Sequence, residues 1–467
     1  MPVISPAGVS ADAIFADEDF SPDNIPVIAA VSGGGDSLAL LFLLHERLMA
    51  RGQAGRLRAV TVDHALRAEA ADEAAYVARL CARHGIIHRT MRWEGAKPKT
   101  GIQAAARSAR YRLLAEAAAD FASQIHERTA FICTAHTMGD QAETYLMRSA
   151  RMRRQEAGRS DSSDRGINNV AGRSGSSDRE ENNLAGRSDS SVIAEGAAAA
   201  EKTLAPEYDI AARGLAGMAR LSLLYQRFWL MRPLLDIKRA DLRAYLRQRG
   251  IKWIDDPGND NPHYERVRIR QNMTAEQMAQ CAAAAEEAAK ARQILSAASA
   301  EWGKKLDLRA ERQDKGAALI LNLAALQNQG EAALSGIDFA ALYLLLAYVA
   351  AICGGKAYIS AHDARLEQFL PRLCYSGKGE KPRRISVSGA VLEKRKDIVT
   401  IRCECRNFPK TDNIGNRADE NPFATAVPQW DALPYALFAP LLPVFGGQPQ
   451  ADIPAPPAWG GSLPKAV

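Results

Sequence analysis

Apolar positions in the first third of the chain fall into short unbroken runs, each followed by an amphipathic or alanine-rich stretch. Ile25–Val31 predicts a strand buried on both faces, and Leu38–Leu44 the apolar body of a helix. The alternation continues with strands at Leu57–Asp63, Ile86–Trp93 and Thr129–Ala135, and helices at Ala70–His84, Ile102–Ala122 and Asp140–Ala150. Strand and helix in turn predict an α/β fold, a doubly wound parallel sheet. Such sheets bind ligands beyond the carboxyl ends of their strands, marked here by Ser32–Asp36, Asp63–His64 and His136–Asp140.

From Arg153 to Arg213 the pattern collapses. Ala-Gly-Arg-Ser begins at Ala157, Ala171 and Ala185 among Ser, Asp, Asn and Gly, and a repeat this polar has no face to bury. It predicts a disordered insertion that splits the sheet domain into 25–152 and 214–272, with 1–24 as an N-terminal extension. Thr274–Cys374 is mostly helical in pattern, and Arg384–Leu392 with Ile398–Cys405 alternate like a β-hairpin around Lys394–Asp397, so 273–405 reads as a mainly helical C-terminal region. The apolar run Phe339–Cys353 is shorter than the ~20 residues of a membrane span and predicts a buried helix instead. The segment 406–467 is proline-rich, which opposes regular structure.

Composition adds bounds. The 467 residues are 47% hydrophobic and 24% charged, as in soluble globular proteins, and the net charge of +6 permits nucleic-acid binding without requiring it. Arg239, Arg243 and Arg247 share one face of a helix predicted over Asp236–Arg249, as a nucleic-acid contact or as a solvated face. Seven scattered cysteines without a C-x-x-C pair suggest reduced thiols and a cytoplasmic protein, and the acidic N-terminus is unlike a secretory signal.

Chemistry enters at Ser32-Gly33-Gly34-Gly35-Asp36-Ser37, between the first strand and its helix. Consecutive glycines let several backbone N–H groups converge on one anion at a helix N-terminus, which suits the phosphates of ATP. The alternative is an ordinary glycine-rich turn with Asp36 as its cap. No lysine follows, so the loop is not a P-loop, and Leu38 stands where a dinucleotide loop needs glycine.

The pattern S-G-G-x-D-S resembles the pyrophosphate loop of the N-type ATP pyrophosphatases, the PP-loop superfamily. Further phrases in order resemble one branch, the tRNA(Ile)-lysidine synthetases: Val62-Asp-His-Ala-Leu-Arg67, Gly101-Ile-Gln-Ala-Ala-Ala-Arg107, Ala109-Arg-Tyr-Arg112, Ala135-His-Thr-Met-Gly-Asp-Gln-Ala-Glu-Thr144, Leu215-Ala-Gly-Met218, Arg232-Pro-Leu-Leu235 and Trp253-Ile-Asp-Asp-Pro-Gly-Asn259. The match runs from Val27 to Arg270. It implies an enzyme using ATP and Mg²⁺ to join free L-lysine to carbon 2 of the wobble cytidine in an isoleucine tRNA with a CAU anticodon. The base would be adenylated with loss of pyrophosphate, and lysine would then displace AMP. A homodimer is compatible with this reading.

The resemblance assigns Ser32, Gly33, Gly34, Gly35, Asp36 and Ser37 to the ATP phosphates, with both serine hydroxyls as donors, and Asp63 and His64 to adenosine or the target base. Asp36 and Asp140 would hold Mg²⁺, and Asp36, Asp140, Glu143 and His136 would form the catalytic set. Arg107, Arg112, Arg232, Arg266, Arg268 and Arg270 are candidate phosphate contacts to tRNA or ATP. Departures from the family pattern H-H-x-D-D-Q-x-E-T are local: Thr137 replaces a histidine and Gly139 an aspartate. Two other outcomes fit the same superfamily: a tRNA thiolase, which needs reactive cysteines, and a tRNA-binding protein without turnover.

Overall fold

The computed structural model describes residues 8–404 except 17–21, 68, 99, 128–129, 164–214, 225–227, 256–261, 263–264, 314–315, 328–335, 355–362 and 374–382. The tail at 406–467 therefore lies outside the described residues. The chain forms two compact units, one drawn from Met1–Thr137, Ala219–Asp255 and Arg292–Val467, the other from Met138–Met218 and Asp256–Ala291.

The first unit holds a six-stranded sheet built from β1 (Val27–Ala30), β2 (Leu57–Asp63), β3 (Ile87–Arg92), β4 (Phe131–Cys133), β5 (Leu221–Leu224) and β6 (Phe228–Met231), in the order β3-β2-β1-β4-β6-β5. All pairings are parallel except β5 with β6. The order reverses direction between β1 and β4, which makes that gap the switch point where doubly wound sheets bind ligands. Both faces are covered, as the unbroken apolar run of the first strand implied. Val27 and Ala29 join one core cluster with α2 (Gly35–Ala50), α3 (Ala70–Arg83) and α6 (Arg239–Gln248), while Ile28 joins another with α4 (Ile102–Gln124), following the two-residue period of a strand.

The segment set apart as an extension belongs to this core. A short helix α1 (Ala11–Ile14) delivers the fully buried Phe15, and Arg47 on α2 holds Asp12 at 3.0 Å and Asp23 at 2.8 Å.

The C-terminal part of this unit departs from the expected hairpin. It is a five-stranded antiparallel sheet of β7 (Arg309–Gln313), β8 (Gly316–Asn322), β9 (Arg383–Val387), β10 (Ala390–Arg395) and β11 (Ile398–Cys403), in the order β7-β8-β11-β10-β9. What read as one strand, Arg384–Leu392, breaks at Ser388 and Gly389, whose φ of 52° and 79° meet the demand of a two-residue hairpin turn. The apolar run becomes α9 (Gly336–Cys353), buried from Ala340 to Ala351, with Asp338 accepting from Trp302 Nε1 at 2.8 Å. No helix among the described residues is long and apolar enough to cross a membrane.

The second unit is helical: α5 (Met138–Ser163), α7 (Glu265–Asn272) and the first part of α8 (Ala275–Lys305). Its core gathers Ala142, Tyr145 and Leu146 of α5 with Leu215, Ala216, Ile269, Met273 and Cys281. The insertion was expected to lose structure from 153, but α5 continues to Ser163; residues 164–214 lie outside the described residues.

Candidate active site

The glycine loop is shaped by its own serines. Ser37 Oγ donates to Gly34 O at 2.9 Å and accepts from Ser32 N at 3.1 Å, with Ser32 Oγ 3.2 Å away. The Ser37 hydroxyl, expected to donate to phosphate, is thus spent on closing the turn, and the residue is 8% exposed. Gly34 caps α2 without a side-chain hydrogen bond. A helix start left without a side-chain cap has N–H groups to offer an anion.

A second segment braces the loop. Ile254 N donates to Gly33 O at 3.0 Å, and Gly33 itself has φ 88°. A Cβ on Gly33 would lie 2.9 Å from Ile254 Cδ1, and one on Gly35 would lie 3.4 Å from the Trp253 ring. The phrase Trp253–Asp255 is therefore a strap over the loop, tied also by Tyr76 OH donating to Lys252 O at 2.7 Å. Residues 256–259 of the same phrase lie outside the described residues.

The three arginines of α6 border this assembly, Arg239 and Arg243 part-exposed and Arg247 exposed. Arg239 Nε donates to Asp36 Oδ2 at 2.7 Å. Arg243 donates to Asp255 Oδ1 at 3.1 Å, and Arg243 and Arg247 lie 5.6 and 5.8 Å from the centre of the Trp253 ring. Their four-residue spacing was visible in the sequence, but nothing local to the helix named Asp36 as a partner 203 positions away.

At the ends of β2 and β3, Asp63 Oδ1 accepts from Ala65 N at 2.7 Å, Asp63 O accepts from Trp93 N at 2.8 Å, and the carboxylate lies 3.7 Å from Arg92. Asp63 thereby closes its own turn. His64 meets Trp93 edge-on at 6.1 Å, its Nδ1 buried without a hydrogen-bond partner. Burial holds its pKa below the usual value, with Arg110 and Lys97 pushing the same way and Asp63 opposing. After β4, His136 Nδ1 lies 3.0 Å from Thr134 Oγ1.

The second unit carries the remaining carboxylates. Glu143, with a side chain only 1% exposed, receives Arg270 Nε at 2.7 Å and Arg270 Nη2 at 3.3 Å. Asp140, in the first turn of α5, is 15% exposed and 3.9 Å from the same guanidinium. Gln141 binds the Leu215–Met218 turn, and Arg148 donates to Gly217 O at 2.8 Å. Both phrases stood out in the sequence; their mutual contact did not.

The other candidate arginines differ in setting. Arg232 is 2% exposed and donates to Ala219 O at 2.5 Å and Ser222 Oγ at 2.9 Å, so it stitches β5 to β6 rather than facing a phosphate. Arg112 pairs with Glu116 at 2.5 Å and Arg107 lies 5.0 Å from the Tyr111 ring centre. Arg268 donates to Pro262 O at 3.0 Å, and Arg266 is exposed.

No three acidic, histidine or cysteine side chains converge as a metal cage among the described residues. Magnesium rarely uses such a cage; one or two carboxylates and the substrate's phosphates suffice, and Asp36 beside the loop fits that pattern. Burial pushes the thiols of Cys81, Cys133 and Cys281 up to about 11, 12 and 11, which keeps them protonated and inert. The reactive cysteine a thiolase needs is not among these three.

The PP-loop domain family matches residues 11–166 and 204–277. The tRNA(Ile)-lysidine synthase of Bartonella tribocorum is 37% identical over 395 residues, covering 85% of this chain and 75% of that protein. The same enzyme of Bartonella quintana is 35% identical over 387 residues, 82% and 71% respectively, and that of Brucella melitensis 37% over 408 residues, 83% and 70%. Among solved structures, the U34-tRNA thiolase NcsA from Methanococcus maripaludis with its [4Fe-4S] cluster matches at 13% identity and a TM-score of 0.36, over 61% of this chain and 76% of that one. Matches to those synthases extend well past the sheet that holds the glycine loop, and the chain belongs to the tRNA(Ile)-lysidine synthase family of PP-loop proteins.

Proposed function

We propose that the protein ligates L-lysine to carbon 2 of the wobble cytidine in an isoleucine tRNA with a CAU anticodon, forming lysidine and releasing AMP and pyrophosphate. The observation that carries this is the loop Ser32–Ser37, held in shape at the uncapped start of α2 beside the switch point of the sheet. Backbone N–H groups there are oriented before ATP arrives, so they stabilise charge on the departing pyrophosphate without reorganising.

Mg²⁺ would be held by Asp36 with the ATP phosphates, and when bound it would neutralise charge on them. The ε-amine of lysine, with a reference pKa of ~10.4, attacks only after losing a proton, so a carboxylate must receive or orient it. Asp140 suits that task better than Glu143, because Glu143 is buried and engaged by Nε and Nη2 of Arg270. Glu143 then acts by holding Arg270, and His136 borders the adenylation step from the end of β4. Asp63 and His64 would line the base or adenosine, and Arg107, Arg112, Arg266 and Arg268 would contact tRNA phosphates.

The test is incorporation of radiolabelled lysine into an isoleucine tRNA transcript bearing CAU, with release of pyrophosphate and AMP from ATP followed alongside. Incorporation is expected for the wild type and lost in Asp36→Ala and Asp140→Ala. Retained incorporation in Asp36→Ala would break the assignment of the loop, and tRNA binding without incorporation in the wild type would favour a binding protein without turnover.

A further inference from the structure

The carboxylate of the glycine loop already has a cationic partner. Arg239 Nε lies 2.7 Å from Asp36 Oδ2, and the two side chains are 29% and 21% exposed, so ligands can reach the pair from solvent. Arg239 opens α6, whose Leu242, Tyr245 and Leu246 are locked into the core cluster that also contains α2. The helix is fixed relative to the loop, while the long arginine side chain retains rotatable bonds with which to change partners.

A divalent cation on Asp36 competes with the Arg239 guanidinium for the same negative charge. When Mg²⁺ binds to the carboxylate, the charge facing Arg239 changes from negative to positive, and the guanidinium must turn to another anion. The nearest anion brought to the loop by the same event is the nucleotide's phosphate, whose geometry matches the guanidinium fork better than that of a lysine. We infer that Arg239 is a phosphate-binding residue of this site, kept in place by Asp36 until magnesium-bound ATP exchanges one ion pair for two: Asp36 with the cation, and Arg239 with the β,γ-phosphates. The neighbouring arginines support this division of labour, since Arg243 and Arg247 are committed to the Trp253–Asp255 strap and only Arg239 is directed at the loop. The inference rests on the proposed ATP site.

The experiment compares wild type, Arg239→Gln and Arg239→Lys in the full chain, with thermal melting as the check on folding. Equilibrium binding is measured for magnesium α,β-methylene-ATP, for AMP and for Mn²⁺ alone. Arg239→Gln is expected to weaken the triphosphate analogue about tenfold or more, the scale of one lost charge-assisted hydrogen bond. AMP, lacking the β,γ-phosphates, should change less than about twofold, and Mn²⁺ alone should bind more tightly because one positive charge beside Asp36 is removed. Arg239→Lys should retain part of the analogue's affinity; it also carries the test if the glutamine variant does not fold. Unchanged analogue binding, or equal losses for analogue and AMP, overturns the role of Arg239. A wild-type chain that binds neither nucleotide overturns the ATP-site reading and this inference with it.

Discussion

Gln141 holds Met218 by both ends of its side-chain amide, Nε2 donating to Met218 O at 2.9 Å and Oε1 accepting from Met218 N at 2.6 Å. The amide lies so close to Gly217 that a Cβ there would be 2.5 Å from Oε1, and Gly217 also has φ 60°. Gly217→Ala therefore meets two penalties, about 1–2 kcal/mol for the left-handed backbone and a clash with an amide that cannot move without breaking the clamp. Urea unfolding should show a lower midpoint for Gly217→Ala. In a Gln141→Ala background the added cost should shrink, with a coupling of about 0.5–3 kcal/mol; strict additivity would mean the clamp does not limit the turn.

Arg270 and Glu143 form a part-buried ion pair in the same unit. Removing the arginine withdraws two charge-assisted hydrogen bonds from a carboxylate 1% exposed, and Arg270→Ala should cost about 1.5–3 kcal/mol by thermal or urea unfolding. Arg270→Met combined with Glu143→Gln should recover part of that stability, because the charge the guanidinium balanced is removed with it. Equal destabilisation in both variants would show that lost packing, not charge, sets the cost.

The sheet domain was legible because its strands are apolar runs buried on both faces and its turns carry glycine and polar residues in sequence order. Ile102–Ala122 and Leu57–Asp63 fall on α4 and β2 almost to the residue. The C-terminal sheet was not legible for a local reason: Gly316–Asn322 is rich in alanine and leucine, which favour helix, and becomes a strand only by pairing with β7 and β11. Candidate residues could be named from the motif, but their partners could not. The Arg239–Asp36 and Gln141–Met218 contacts join segments 203 and 77 positions apart, and no periodicity reports such distances.

His64 sets a pH dependence. Its pKa lies below 6.5 in the folded chain, mainly through burial, so the folded state resists a proton that the unfolded chain accepts. The stabilisation is complete above 6.5 and is lost as pH falls from 6.5 through the folded value; His45 and His88, also lowered by burial, add in the same direction. Urea midpoints should fall on moving from about pH 7.5 to about pH 5.5. Lys97→Ala removes one charge that opposes protonation, so the NMR titration midpoint of His64 should rise in that variant.

The PP-loop match passes over 167–203, the heart of the repeat. A repeat too polar to bury a face adds no core, so deleting 167–203 should leave stability within about 1 kcal/mol. Lysine incorporation should persist, and its loss with unchanged melting would give the repeat a direct part in substrate handling.

Gly33 and Gly35 look interchangeable in the triple glycine, but they have opposite tolerance. Gly33 has φ 88° and would place a Cβ 2.9 Å from Ile254 Cδ1 and 3.3 Å from Val77 Cγ2, while its carbonyl receives Ile254 N. Alanine there strains the backbone by about 1–2 kcal/mol and pushes the strap off the loop. Gly35 is the first residue of α2, and its Cβ would meet the Trp253 ring at 3.4 Å, an ordinary contact. Alanine is also the better helix former by about 1 kcal/mol, so Gly35→Ala should melt at or slightly above the wild type. Gly33→Ala should melt lower and bind magnesium α,β-methylene-ATP more weakly, because the strap and the loop share one hydrogen bond and move together. Equal melting of the two variants would show that the strap yields freely, and that the loop keeps its shape through Ser32 and Ser37 alone.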